Sequence, residues 1–385
     1  LLDDLVHFVY QGRNDRLLLI GDKAQLPPVG EEESPALHAA MLEGYGLKVY
    51  ECDLNEVLRQ SEESGILYNA TMIRQMITHD DITQLPKIHF AGYSDIKPMP
   101  GAELIEALAD SYHHVGLDDT IVVTRSNKRA NIFNQGIRNM VLDREEELSQ
   151  GDILMIVKNN YYWMEEERKK ILKSGVKTEA SGADAANHKV PSSKFQVQSN
   201  QVQSNHTVQS SKFQVQSNQV QSNEIPAFLA NGDRAKVLKV RRRIDLYGFR
   251  FATLLLQFPD YDNYELEATV LLDTLTSEAP ALTHEQQEQL FHQIEEDYQD
   301  IPLKADRMKA IRQDQFFNAL QVKFAYAVTC HKAQGGQWAH VYVDQGYMTD
   351  DMLNPDYIHW LYTAFTRATE MLYLVNWPET QTVQE

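Results

Sequence analysis

The stretch "DTIVVTRSNKRANIFNQGIR", residues 119–138, sets the strongest constraint on the fold. An apolar, β-branched run around Ile121, Val122 and Val123 passes directly into the polar start of a helix. A strand with no polar face belongs in a parallel sheet covered by helices on both sides. Parallel neighbours must be reached by crossovers, and the residues just after this helix offer none. The next runs of the same kind are "VKFAYAV" at 322–328 and "MLYLVN" at 371–376. The sheet must therefore be completed from the C-terminal end, around an insert. An α/β layer is expected from residues 101–150 and 318–385, with residues 151–317 set apart.

The insert opens with "GDILMIVKNNYYW" and resumes at "FLANGDRAKVLKV", "GFRFATLLLQF" and "YELEATVLL". The last three read as antiparallel strands with little helix, which predicts a small barrel or sheet. Thr283 and Gln286 have the spacing of a capping box opening the helix that leads back to the α/β layer. A low-complexity region is expected at 165–223. Within it "SSKFQVQSNQVQSN" at 192–205 recurs unchanged at 210–223. Each copy has too few apolar residues for a core, so a tandem duplication with passive insertion is favoured over a solenoid.

Residues 1–80 alternate helix and strand: an amphipathic helix at 1–12, a buried strand at 17–20, a helix at 34–43 ended by Gly44, and a strand at 47–53. A helix follows, with Ile66, Ala70, Ile73 and Ile77 on one face. Residues 81–100, with Pro86, Pro98 and Pro100, read as a connector. The chain begins at Leu1 inside a helix, as a fragment would. The exit from 17–20 is unusual, because "GDKAQLPPVG" places Asp22 and Gln25 at the strand's end and stiffens the loop with Pro27 and Pro28. Ligands bind beyond the carboxyl ends of such strands, so Asp22 and Gln25 are candidates to line a crevice. An ordinary strand-to-turn exit is the alternative.

The formal charge of -19 argues against a broad basic nucleic-acid surface and leaves room for a local positive channel. Cys52 and Cys330 lie far apart with no metal-ligand spacing, which argues against a disulfide and fits a reducing cytoplasm. No apolar run in these residues is long enough for a membrane span and none has a signal-peptide pattern, so neither membrane spanning nor secretion is expected.

In "YAVTCHKAQGGQW", residues 326–338, a strand end meets Thr329, His331, Lys332 and Gln334, then Gly335 and Gly336. Glycines permit close backbone approach to a ligand, and Thr and His suit phosphate or sugar. Trp338 could stack on a ligand or pack inside. "LYTAFTRATEMLYLV", residues 361–375, puts Arg367 just before a buried strand, where it needs an anion or a salt bridge such as Glu370. "LNEVLRQ" places Arg59 at another α/β edge. Gln25, Arg59 and Arg367 form a candidate triphosphate-sensing set, since glutamine orients water and arginine stabilises developing charge.

"GDKAQLPPVG", "LNEVLRQ", "YAVTCHKAQGGQW" and "LYTAFTRAT", in this order, resemble motifs III to VI of superfamily 1 helicases, closest to the RecD-like, 5'-to-3' branch. The resemblance covers nearly the whole chain outside 165–223. It implies two RecA-like P-loop NTPase motor domains with ATP between them and single-stranded DNA, or a duplex with a single-stranded tail, as partner. On that reading residues 1–80 are the C-terminal part of the first, incomplete motor domain. The β-rich insert resembles the Src-homology-3-like barrel of this branch.

Carried over by position, Gln25 resembles the motif III glutamine, and Arg59 and Arg367 the two γ-phosphate arginines. Asp22, Gly335 and Gln337 fall at the ATP cleft, although many relatives carry glutamate where Gln337 stands. Thr329 and His331 resemble contacts to the DNA backbone. Arg125 and Asn127, in "TRSNKRAN", are further candidates for DNA phosphate, with a helix-start role as the alternative. No G-x-x-x-x-G-K-[ST] occurs in these residues, and no Asp-Glu pair after an apolar strand precedes Gly21. The resemblance places both upstream, together with the Mg²⁺ ligands. It thus implies a helicase truncated at its N-terminus and inactive alone, in DNA repair or recombination. The rival reading is a nucleic-acid-binding or scaffold module without ATPase activity.

Overall fold

The computed structural model describes residues 1–53, 63–79, 84–174 and 226–383. They form two compact units, residues 1–159 with 230–385, and residues 160–229. In chain order the elements are α1 (Leu2–Val9), α2 (Ala39–Glu43), α3 (Gly65–Thr78), β1 (Ile96–Met99), α4 (Leu104–His114), β2 (Thr120–Thr124), α5 (Asn127–Gly136), β3 (Ile153–Ile156) and α6 (Tyr162–Ser174). There follow β4 (Arg234–Leu246), β5 (Phe249–Phe258), β6 (Tyr264–Leu271), α7 (His284–Asp297), α8 (Lys304–Arg312), β7 (Leu320–Phe324), β8 (Ala327–Thr329), α9 (Cys330–Ala333), β9 (Trp338–Asp344), α10 (Pro355–Phe365) and β10 (Ala368–Val375).

The larger unit holds a five-stranded sheet ordered β1-β10-β9-β2-β8 and a closed barrel of β3 to β7. Every pairing in the sheet is parallel. All five residues of β2 are buried, as an apolar strand with neighbours on both sides should be. In register, Thr124 lies beside Thr329 and Asp344, so the carboxyl ends of β2, β8 and β9 share one edge. Trp338 lies beside Ala368 at the opposite, amino-terminal edge.

Several expectations change. The run "VKFAYAV" is two strands, β7 in the barrel and β8 in the sheet. Asn134 on α5 holds the crossover: its amide nitrogen donates to the carbonyls of Phe324 (3.2 Å) and Ala327 (2.9 Å), and its oxygen accepts from the N–H groups of Tyr326 (3.1 Å) and Ala327 (2.8 Å). A buried side chain thus satisfies the backbone groups that a continuous ladder would have paired. The barrel consequently reaches beyond the expected 151–317 to take in Leu320–Phe324, and Ile153–Ile156, at the opening of the insert, is a further strand of it. Residues 81–100 are not merely a connector, because Ile96–Met99 pairs with Leu372–Val375 as the sheet's edge. Helix α3 packs on α10.

No strand forms at 17–20 or 47–53. Leu18 and Ile20 are 81% and 82% exposed. Neither run has a partner backbone among the described residues, and a strand without one leaves its polar groups unpaired. The helix expected at 34–43 breaks at His38, which is extended, into a 3₁₀ turn (Pro35–Leu37) and α2. The capping box is present, with Gln286 N–H on Thr283 Oγ1 at 3.3 Å and Thr283 N–H on Gln286 Oε1 at 3.0 Å. It starts α7, whose Leu290 and Ile294 pack with Ile311 of α8 on Phe249, Phe251 and Leu271 of the barrel.

In the smaller unit, Asn160 bridges Leu229 and Tyr161 stacks on Phe228 at 4.8 Å between ring centroids. Residues 165–174, expected to be low-complexity, are helical, with Glu166–Lys169 and Glu167–Lys170 pairs along α6. Both repeats lie outside the described residues. No helix among the described residues is long and apolar enough to cross a membrane.

Candidate functional site

The sequence-predicted site residues fall at both ends of the parallel sheet. At the amino-terminal edge, Arg367 connects α10 to β10 and is 4% exposed. Its Nε donates to the Thr363 carbonyl (2.9 Å), Nη1 to the Gly336 carbonyl (3.0 Å) and Nη2 to Thr366 Oγ1 (2.9 Å). Three neutral oxygens thus orient the guanidinium, as a planar fork of donors allows.

The glycine pair beside it has two separate causes. Gly335 sits at φ +88°, which a side chain disfavours, while a Cβ on Gly336 would come within 2.3 Å of the Trp338 ring. Trp338 is buried and packs, so that of its two expected roles the internal one holds. Gln337 is exposed between them. Cys330 is buried, and burial pushes its thiol up to about 12 although Arg367 opposes the shift.

The "GDKAQLPP" loop docks on this edge. Leu26 N–H donates to Thr363 Oγ1 at 2.8 Å, Gln334 Nε2 donates to the Leu26 carbonyl at 3.0 Å, and His359 Nδ1 lies 2.9 Å from the Ala24 carbonyl. Thr363 therefore touches the loop through its hydroxyl and Arg367 through its carbonyl. Gln25 is half-buried on this loop, its N–H on the Asp22 carbonyl at 3.1 Å. The Asp22 carboxylate is already engaged: Oδ1 accepts from Ala24 N–H (3.0 Å) and Arg74 Nη1 (2.7 Å), and Oδ2 from the Tyr362 hydroxyl (2.9 Å). Burial and then Asp22 push the Tyr362 phenol up, against Arg74. Arg59 lies outside the described residues.

At the carboxyl edge, Thr329 ends β8 and Asn127 opens α5. Both line a small cleft with Asn131, Lys323 and Lys332. Lys323, from the barrel, donates to the carbonyls of Thr274 (3.2 Å) and Ser277, and Lys332 donates to Asn231 Oδ1. Burial, and then Lys332, push the Lys323 ammonium down to about 8, and burial also lowers Lys332. His331 is exposed on α9. Arg125 goes elsewhere: its Nη1 lies 3.1 Å from Met348 Sδ and its guanidinium 5.4 Å from the Tyr357 ring centre. The cleft accordingly joins Asn127 to Thr329 and leaves Arg125 out.

Arg74, Tyr362, Thr363 and Lys323 were not singled out in the sequence. Thr363, in the last turn of α10, lies four residues before Arg367, a spacing that could have found the threonine; Lys323 gave no signal inside an apolar strand run. Among the described residues no cluster of three or more His, Cys, Asp or Glu could hold a metal ion. Of the residues expected to bear on a triphosphate, Gln25 and Arg367 are described and Arg59 is not.

Residues 324–375 match the UvrD-like helicase C-terminal domain. That segment contains β8, β9, β10, α9 and α10, hence Arg367 and the whole "VTCHKAQGGQW" turn. The matched segment thus supplies three of the five strands of the parallel sheet. Among solved structures, the Pif1 helicase from Candida albicans is 12% identical at a TM-score of 0.37, over 95% of this chain and 64% of that one. The Pif1 helicase from Bacteroides, in complex with ADP-AlF3 and single-stranded DNA, is 11% identical at 0.40, over 100% and 68%. The chain thus spans about two thirds of the length of each. No curated protein matches it.

Proposed function

We propose that this chain is part of an ATP-dependent DNA helicase or translocase of the RecD-like branch, moving on single-stranded DNA in repair or recombination. Its five-stranded barrel corresponds to the Src-homology-3-like barrel of that branch. Arg367, with Arg59, senses the γ-phosphate of Mg²⁺-bound ATP, Gln25 couples that state to the DNA, and Thr329, His331 and Asn127 meet the DNA backbone.

The observation that carries this reading is the double engagement of Thr363. One residue joins the glutamine loop, through Leu26 N–H, to Arg367, through its own carbonyl. A change in the arginine's partners would shift α10 and the loop together, which is the coupling a translocase requires. Asn127 and Thr329 lie at the other end of the same parallel sheet, so nucleotide and DNA would act on opposite ends of one rigid layer.

The test is fluorescence anisotropy with a labelled oligo(dT) strand and a tailed duplex. Both should bind, with affinity falling steeply as salt rises. Thr329→Ala with His331→Ala should weaken binding, whereas Arg367→Ala should spare it. Absence of binding to either probe at low salt, or loss of binding in Arg367→Ala alone, would overturn the proposal. These residues contain no G-x-x-x-x-G-K-[ST] loop, so ATP turnover by them alone is not expected.

A further inference from the structure

We propose that the outward face of β4 and β5 in the barrel is a second nucleic-acid track, separate from the carboxyl edge of the sheet. On it Lys236, Lys239 and Arg242 hold successive phosphates of the other arm of a forked DNA, the strand that the sheet edge does not carry. The choice of DNA rests on the helicase reading; the row of cations itself rests on the register of the barrel.

In a regular strand, residues three apart fall on opposite faces. Strand β4 departs from that rule through two register shifts against β5, between Val237 and Lys239 and between Val240 and Arg242. Each shift adds one residue and returns the next cation to the same side. Lys236, Lys239 and Arg242 therefore stand opposite Gln257, Leu255 and Thr253, alternate residues of β5. Opposed residues share a face, and the intervening Leu254 and Leu256 are buried in the barrel, so all three cations point outward and are exposed. They follow one another in steps of about 7 Å, the length of two strand residues. An extended nucleic-acid backbone can meet such a row phosphate by phosphate.

The cations of this stretch divide into two sets. Arg241 pairs with Glu267 at 2.5 Å, and Arg243 with Glu146 at 3.2 Å and the Leu148 carbonyl at 2.8 Å. Lys236, Lys239 and Arg242 make no ion pair or hydrogen bond among the described residues. The Arg241 pair also occupies the carboxylate that stands in line with Lys239 across Leu255. The chain has a formal charge of -19, so three unmatched cations in one row make a local positive line against an acidic background. The row stops where α7 and α8 cover the barrel at Phe251 and Phe249.

The row also lies apart from Thr329 and Asn127. Arg234, two residues before Lys236, donates to the carbonyls of Asp118 (2.8 Å) and Leu117 (3.4 Å), which lead into the amino end of β2. Strand β4 thus leaves the sheet at the end opposite Thr329, and a strand held on it is a second strand.

Fluorescence anisotropy across salt compares a duplex with one single-stranded tail and the same duplex with two. The proteins are the unmodified chain, Lys239→Gln with Arg242→Gln, and Lys239→Arg with Arg242→Lys. The unmodified chain should bind the fork about tenfold more tightly, with a salt slope steeper by about 2, at ~0.7 for each single-strand phosphate. The glutamine variant should lose most of that gain and keep an extra slope of only about 0.7. Its affinity for the one-tailed duplex should be unchanged, which also shows that it is folded. The charge-keeping variant should retain the gain. Equal binding of the two DNAs by the unmodified chain, or a gain that survives in the glutamine variant, would overturn the second track and leave the helicase reading standing. Loss of both affinities in the glutamine variant would merge the row with the main track and overturn the proposal as well. No binding of either DNA by the unmodified chain would overturn both readings.

Discussion

Arg74 and Asp22, 52 residues apart, meet at 2.7 Å, and the same Arg74 Nη1 donates to the Tyr362 hydroxyl at 2.8 Å. Because Tyr362 also donates to Asp22, the three side chains close a triangle joining α3, the glutamine loop and α10. Burial would lower the Arg74 pKa, but Tyr362 and Asp22 raise it on balance. The arginine side chain is 45% exposed, so the ion pair itself contributes only about 1 kcal/mol. The phenol bonds add about as much again. Arg74→Ala should therefore cost about 1–2 kcal/mol in urea unfolding, and Tyr362→Phe about 1. A double-mutant cycle should give a coupling of at least ~0.5 kcal/mol. Strict additivity would show that the triangle is not a unit.

The Thr363 hydroxyl bond offers a local test of the loop. Thr363→Val keeps the shape of the side chain and removes the acceptor for Leu26 N–H, while Thr363→Ser keeps the acceptor. Amide hydrogen exchange at Leu26 should accelerate about tenfold or more in the valine variant, following a lost bond of ~1.4 kcal/mol, and little in the serine variant. Equal exchange in all three proteins would mean that Pro27 and the surrounding packing, not Thr363, fix the loop.

Asn134 gives the largest expected loss of stability. It is 3% exposed and satisfies backbone groups of Phe324, Tyr326 and Ala327 where the chain leaves the barrel for the sheet. Asn134→Leu, of similar volume, strands those groups in the interior. Chemical denaturation should show a loss of about 3 kcal/mol or more, since each buried orphan costs ~1–3 kcal/mol. A loss below about 1 kcal/mol would mean that β7 and β8 pair adequately without it.

This crossover also shows where the sequence stopped being legible. An all-apolar strand such as β2 announces itself, and so do a capping box and the βα turn at Ser126. By contrast, "VKFAYAV" looks continuous, because apolar runs do not reveal which sheet each half joins; Asn134, nearly two hundred residues upstream, decides it. The runs at 17–20 and 47–53 failed for the opposite reason: local propensity was present and the ladder was not. Around the candidate site, motif residues such as Arg367 and Thr329 could be read, whereas Arg74 and Lys323 matter through tertiary neighbours that spacing cannot show.

Removing residues 175–223 and joining Ser174 to Glu224 through about six Gly/Ser residues should leave the unfolding free energy nearly unchanged. The Gln/Asn/Ser-rich repeats contribute few apolar groups, and closing a long surface loop differs from closing a short one by only ~1–2 kcal/mol. Pro226 is already beside α6, its carbonyl accepting from Arg168 Nη2 at 3.0 Å, so the join is short. A loss above about 2 kcal/mol in a urea titration would show that the removed residues pack on the fold.

Lys323 should leave a signature in the pH dependence of stability that needs no ligand. Its folded pKa is down at about 8 through burial and then Lys332, against an ordinary value of 10.5. Below about pH 8 the ammonium is charged in both states, and the folded chain bears the full cost of burying it. Between about 8 and 10.5 the unfolded chain holds the proton more often than the folded one, so unfolding becomes less favourable as pH rises. Lys323→Met keeps the length of the stem and removes the titration. The unfolding free energy of the unmodified chain minus that of Lys323→Met should therefore increase steadily from pH 8 to 10, while the raised tyrosines cancel because both proteins contain them. A difference that stays flat across this window, measured by urea unfolding at closely spaced pH values, would show that Lys323 is hydrated in the folded chain and that the cleft is open to water. A difference that falls with pH would place an acid beside the ammonium.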